Sequence, residues 1–81
     1  MTLVTLYGKP GCCLCDEARE AVRAVRARHE FDLEEVDITR DAALEREYRE
    51  RIPVVAIDGE EVCELVVEPT DLEDRLARLR T

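Results

Sequence analysis

The chain has 81 residues, 46% of them hydrophobic, with 20 acidic side chains against 12 basic ones and a net charge of -8. One small domain (1–81) is expected. A chain this short buries only about 60% of its unfolded surface. The acidic balance excludes nucleic acid and anionic lipid as partners, because both need positive charge to bind. No apolar run reaches the roughly 20 residues of a membrane span, and no export signal is visible at the N-terminus. The cytoplasm is therefore expected, where clustered cysteines are more often catalytic or metal-binding than structural disulfides.

"TLVTLY" (Thr2–Tyr7) is apolar and β-branched and predicts a strand buried on both faces. "GKPG" (Gly8–Gly11) is turn chemistry. Leu14, Ala18, Ala21, Val22, Val25 and His29 then recur at three and four, predicting an amphipathic helix over Cys13–Arg28. Asp16 and Glu17 in its first turn and Arg26 and Arg28 in its last suit the helix dipole. Arg19, Arg23, Arg26 and Arg28 read as a solvated face with local ion pairs, and His29 as a packing residue or helix-end cation.

"FDLEEVDI" (Phe31–Ile38) predicts a second strand. Thr39 or Asp41 can cap a helix reaching Arg51, with Leu44 and Tyr48 inward. "IPVVAID" (Ile52–Asp58) predicts a third strand, Asp58-Gly59 a tight hairpin, and "EEVCELVV" (Glu60–Val67) a fourth strand. In "TDLE", Thr70 and Glu73 form a candidate capping box before a helix lined by Leu72, Leu76 and Leu79. The order β-α-β-α-β-β-α, with a parallel start and an antiparallel end, predicts an α/β fold: a four-stranded mixed sheet with helices on both faces.

Three of the four cysteines, Cys12, Cys13 and Cys15, fall between the first strand and the first helix. Cys12 sits at the helix N-terminus, where unpaired backbone N–H groups and the positive dipole end favour a thiolate, and Lys9 is near. The Cys12-x-x-Cys15 spacing brings two sulfurs within bonding reach on the first helical turn. Cys12 would attack a disulfide and Cys15 would resolve the mixed disulfide. Residues i and i+2 of a helix point apart, so Cys13 does not readily replace Cys15. Two roles stay open for Cys13: a small side chain beside the site, or a third thiol that shuffles into disulfides or binds metal. The alternative function is thus a metal or iron–sulfur module using Cys12, Cys13 and Cys15. Cys63, among valines, reads as a buried structural thiol.

"YGKPGCCLC" resembles the active-site turn of glutaredoxins, and "RIPVV" (Arg51–Val55) resembles that family's segment around a cis-proline. The match of element order covers nearly the whole chain and points to the thioredoxin-like (glutaredoxin) fold, nearest to short bacterial glutaredoxin-like proteins. The resemblance implies a thiol–disulfide oxidoreductase with Cys12 as nucleophile and Cys15 as resolving cysteine. It implies that Pro53 faces the disulfide in the cis form, that the Ile52 backbone pairs with substrate, and that Lys9, the sole lysine, meets a glutathione carboxylate. It implies no bound cofactor. Glutathione or a thioredoxin reductase would supply electrons, and disulfide-containing proteins would be the partners of a monomer. Two features depart from the family: Cys-Leu replaces Pro-Tyr between the cysteines, and "CELVVEPTD" carries no Gly-Gly before the last helix. Weak glutathione affinity is expected from the second.

Overall fold

The computed structural model describes residues 2–80, and the side chains of residues 2–78. Its elements are β1 (Leu3–Gly8), α1 (Cys13–Arg26), β2 (Asp32–Asp37), a 3-10 turn (Ile38–Arg40), α2 (Ala42–Tyr48), β3 (Val54–Ile57), β4 (Glu60–Glu64) and α3 (Pro69–Arg80). The sheet order is β2-β1-β3-β4, so β2 and β4 are its edges. β1 runs parallel to β2 and antiparallel to β3, and β3 runs antiparallel to β4. This is the expected mixed sheet and element order.

Alternation along β1 divides the interior in two. Val4 and Leu6 join Ala18, Val22 and Val25 of α1 and Leu72 and Leu76 of α3 on one face of the sheet. Tyr7 points to the opposite face, and a smaller cluster of Cys15, Ile38 and Ile52, packed by Tyr7, Cys12, Leu44 and Tyr48, forms at the end of the sheet. The cysteines thus sit on the small cluster, between the sheet end and α2. Tyr7 of β1 stacks on Tyr48 of α2 with ring centroids 4.5 Å apart, which fastens that helix over the sheet.

Several boundaries differ from the sequence reading. The inner stripe of α1 is Cys15, Ala18, Val22 and Val25, and Leu14 is exposed instead of inward. The helix stops at Arg26 because the N–H groups of Arg28 and His29 both fold back onto the Val25 carbonyl. The arginine pairs are tertiary as well as local: Arg19 reaches Glu35 of β2 at 2.5 Å besides Asp16 at 3.1 Å, and Arg28 pairs with Glu73 of α3. His29 lies 3.6 Å from the same Glu73.

β2 ends at Asp37 because its carboxylate accepts from both the N–H and the hydroxyl of Thr39, which winds Ile38–Arg40 into the 3-10 turn. Asp41, not Thr39, caps α2, accepting from the N–H groups of Ala43 and Leu44. Asp58 and Gly59 take the positive φ values, 51° and 88°, that a tight hairpin requires. Asp58 also binds Leu3 through both backbone and side chain, tying the hairpin to the start of β1.

β4 ends at Glu64 rather than Val67, because Leu65 turns to φ 67° and gives its N–H to the carbonyls of Arg51 and Pro53. The last helix starts at Pro69, a residue suited to the first helical position. Thr70 is therefore inside the first turn and does not form the expected capping box, and Glu73 is spent on Arg28 and His29. Leu72 and Leu76 line the core as expected; the side chain of Leu79 lies outside the described residues. No helix among the described residues is long and apolar enough to cross a membrane.

Candidate active site

The β1–α1 turn delivers the cysteines. Gly11 takes φ 78°, a value that glycine adopts without steric cost, and turns the chain into α1. Cys12 is the N-cap residue in extended conformation, and its carbonyl accepts the first helical bond from Asp16 at 3.1 Å. Its sulfur is partly exposed, that of Cys13 is exposed, and Cys15 is 1% accessible. All four cysteines are free thiols.

The two sulfurs of the C-x-x-C pair are placed in opposite states. Cys12 is held below its ordinary pKa, first by the hydrogen bond from the Cys15 thiol, then by the N–H groups of Cys15 and Leu14, with the charge of Lys9 adding and partial burial opposing. The pKa of Cys15 is pushed up to about 11, first by burial, then by its hydrogen bond and charge interaction with Cys12 and by Asp16, while the Lys9 N–H opposes the rise. One sulfur is thus partly exposed and biased toward the thiolate. The other is a buried thiol that hydrogen-bonds to it.

Gly8, at the end of β1, makes the burial of Cys15 possible. A Cβ on Gly8 would stand 3.0 Å from Cys15 Sγ and 3.3 Å from its Cβ. In the sequence Gly8 reads as turn chemistry; the contact joins residues seven apart and shows only in three dimensions.

The proline segment closes the other side of the cysteine cluster. Ile52 packs together with Cys15 and Cys12, Pro53 is buried, and the Ile52–Pro53 bond is cis. The backbone of Ile52 is only half available, however, since its N–H donates to the Tyr48 carbonyl at 3.0 Å. A substrate strand would find that donor already engaged. Arg51 is held by Glu47, Glu61 and Glu64 and lies over the Tyr48 ring, 5.3 Å from its centroid. This clamp anchors the proline segment to the end of β4 and surrounds its one cation with three carboxylates.

Cys13 is exposed while Cys15 is buried, so the three clustered thiols do not converge. Among the described residues, no group of three or more His, Cys, Asp or Glu side chains is placed to hold a metal ion. Cys63, expected to be buried, is half-buried on β4 facing the main core; burial raises its pKa, Asp71 adds to the rise and Arg75 opposes it.

Residues 3–77 match the family model described as the glutaredoxin-like domain (DUF836). Target protein XcR50 from X. campestris, known from an X-ray structure, is 37% identical, with 93% of this chain and 96% of that chain covered and a TM-score of 0.78. Protein Ne2328 from Nitrosomonas europaea, solved by NMR, is 26% identical over 91% of this chain and 89% of its own, with a TM-score of 0.78. A mutant thioredoxin from Halobacterium salinarum, at 21% identity, covers 95% of this chain and 73% of its own with a TM-score of 0.71, a likeness of fold.

Proposed function

The chain belongs to the glutaredoxin-like domain family, with a thioredoxin-like fold, and from its site we propose that it is a thiol–disulfide oxidoreductase using Cys12 and Cys15. The observation that carries this reading is the paired placement of the two sulfurs: Cys12 lowered and accessible, Cys15 buried and hydrogen-bonded to it. The Cys12 thiolate attacks one sulfur of a client disulfide. A Cys12–client disulfide forms, and the other client sulfur leaves as a thiolate. Cys15 then attacks Cys12 Sγ, the second client thiolate leaves, and a Cys12–Cys15 disulfide remains. Two electrons have passed to the client, and a thiol donor returns them.

The second step has its own trigger. Two of the causes that raise Cys15 are the hydrogen bond to Cys12 and the charge of Cys12. Both are weakened once Cys12 is tied into a neutral mixed disulfide, which leaves burial as the main obstacle to ionising Cys15.

We read glutathione as a weakly held reductant. Lys9 can meet one of its carboxylates, but the Ile52 N–H is engaged, Arg51 is saturated by acids, and Leu65 and Val66 stand, 45% and 62% exposed, in the glycine-free stretch before α3. Protein disulfides are the better clients and a thioredoxin reductase the alternative donor, in a cytoplasm that keeps thiols reduced.

Three measurements test this. Cys12→Ser should abolish disulfide reduction, and Cys15→Ser should accumulate mixed disulfides visible by mass. Oxidised protein whose Cys12 maps mainly to Cys13 or Cys63 would sink the pairing. Reduction rates for a glutathionylated peptide and a plain peptide disulfide should be comparable. A large preference for the former, lost in Lys9→Ala, would show that glutathione is held well.

A further inference from the structure

The resolving step leaves one proton to be placed. Cys15 must lose it before attacking Cys12, and its sulfur is shielded from solvent. A cavity of about 260 Å³ borders it, on the β2 side of the site and away from Ile52 and Pro53. Its lining includes Leu6, Gly8, Pro10 and Val36, with Lys9, Arg19, Glu35 and Asp37 as charged members. A cavity of this size with several polar partners is roomy enough for water, which needs only about 30 Å³ per molecule.

Within that lining the residues are ordered for proton transfer. Arg19 stands four positions after Cys15, so both face the cavity from one side of α1. Its Nε donates to Glu35 Oε1 at 2.5 Å, fixing a carboxylate of β2 over the same cavity, and Asp16 holds the guanidinium from the other side at 3.1 Å. Glu35 is partly open to solvent and can pass a proton on. Asp37, the other carboxylate in the lining, is already engaged by the N–H and hydroxyl of Thr39, bonds that hold its carboxyl below the usual range, and Arg40 lies 3.9 Å from it.

We propose that Glu35 is the proton acceptor for Cys15, reached through water in the cavity between them, with Arg19 as the positioning residue that holds its carboxylate there. This rests on the dithiol reading above. The Cys15 proton moves through water to Glu35. The Cys15 thiolate forms the bond to Cys12 Sγ, the Cys12–client bond breaks, and the electron pair leaves on the client thiolate. Glu35 then returns its proton to solvent or to that thiolate. Lys9, also in the lining, favours the charged form of the sulfurs through its charge on Cys12 and its N–H on Cys15. Asp16 and a Cys12 thiolate oppose it until Cys12 is bonded to client.

The test uses the full chain carrying Cys13→Ser and Cys63→Ser, mixed with dithiobis-nitrobenzoate, an aromatic disulfide that releases a coloured thiolate. The first release reports attack by Cys12, the second resolution by Cys15. Glu35→Gln should leave the first rate unchanged and slow the second about tenfold near neutral pH, with the deficit closing in alkali, where hydroxide takes the proton. Glu35→Asp should restore part of the rate. Arg19→Met, which frees the Glu35 carboxylate from its place over the cavity, should slow the second release and leave the first unchanged, and Arg19→Lys, which keeps a cation there, should restore part of the rate. Thermal unfolding of each variant checks that it is folded. A second release with the same rate and pH profile in Glu35→Gln as in the parent would overturn the proposal. A parent chain with no second release would overturn the dithiol reading and this inference with it.

Discussion

A single methyl group added at Gly8 tests whether the seat of Cys15 is as tight as the geometry indicates. The new Cβ would lie 3.0 Å from Cys15 Sγ, whereas a relaxed contact of this kind needs about 3.5–4.0 Å. The sulfur is packed by Ile38 and Ile52 and held by the Lys9 N–H and by Cys12, so a retreat toward the adjoining cavity would break those contacts. Overpacking of this sort costs about 1–3 kcal/mol. Replacing a strand glycine by alanine returns about 0.5–1 kcal/mol. The net expectation for Gly8→Ala is a loss of about 1 kcal/mol, or about 4–8 °C in Tm for a domain of this size.

The specific signature is coupling, read by denaturant unfolding of four proteins: the parent, Gly8→Ala, Cys15→Ala and the double variant. Cys15→Ala removes the sulfur, so the methyl group should cost less in that background, with a coupling of at least about 0.5 kcal/mol. The displaced sulfur should also slow the second release in the two-phase assay, because misplacing a reacting atom by about 1 Å can cost about 100-fold. Additive effects in the cycle, or a Gly8→Ala protein as stable as its parent with normal resolution, would refute the account of Gly8.

The thiolate at Cys12 should also be visible in a pH series. Its alkylation rate should fall on acidification with a midpoint below that of an ordinary thiol, and Cys15→Ala, which deletes the foremost hydrogen bond to the sulfur, should shift that midpoint upward. Asp41→Ala removes the side chain that caps α2 and should lower stability by about 1 kcal/mol in a thermal melt. Because α2 carries Leu44 and Tyr48 onto the cysteine cluster, hydrogen exchange should rise in residues 42–52 before the rest of the chain.

The parts legible in the sequence were those set by local patterning. Apolar β-branched runs marked β1 and β3, the three-four spacing marked α1, and Asp58-Gly59 marked the hairpin. Where the reading slipped, a side chain or a distant backbone group had intervened. Asp37 captures Thr39 and ends β2 early, an Asp-x-Thr signal that the apolar Ile38 concealed. Leu65 turns to positive φ because the carbonyls of Arg51 and Pro53 claim its N–H, which nothing in "ELVV" announces. At the site, Cys12, Cys15, Lys9, Ile52 and Pro53 are legible from motif and resemblance. Gly8 and the Arg19–Glu35 pair are not, since their roles exist only once α1 is laid across β1 and β2.

The two outer strands give the fold a further property. β2 presents Asp32, Glu34, Glu35 and Asp37, and β4 presents Glu60, Glu61 and Glu64, so each free edge of the sheet is a row of carboxylates. An open edge offers unpaired backbone groups to a neighbouring copy, and like charges along it keep two such edges apart. That protection is chemical rather than steric. It weakens as acid neutralises the rows. Concentrated salt shortens the reach of the repulsion to about 3 Å at 1 M, so both treatments should favour strand-to-strand aggregation of this chain.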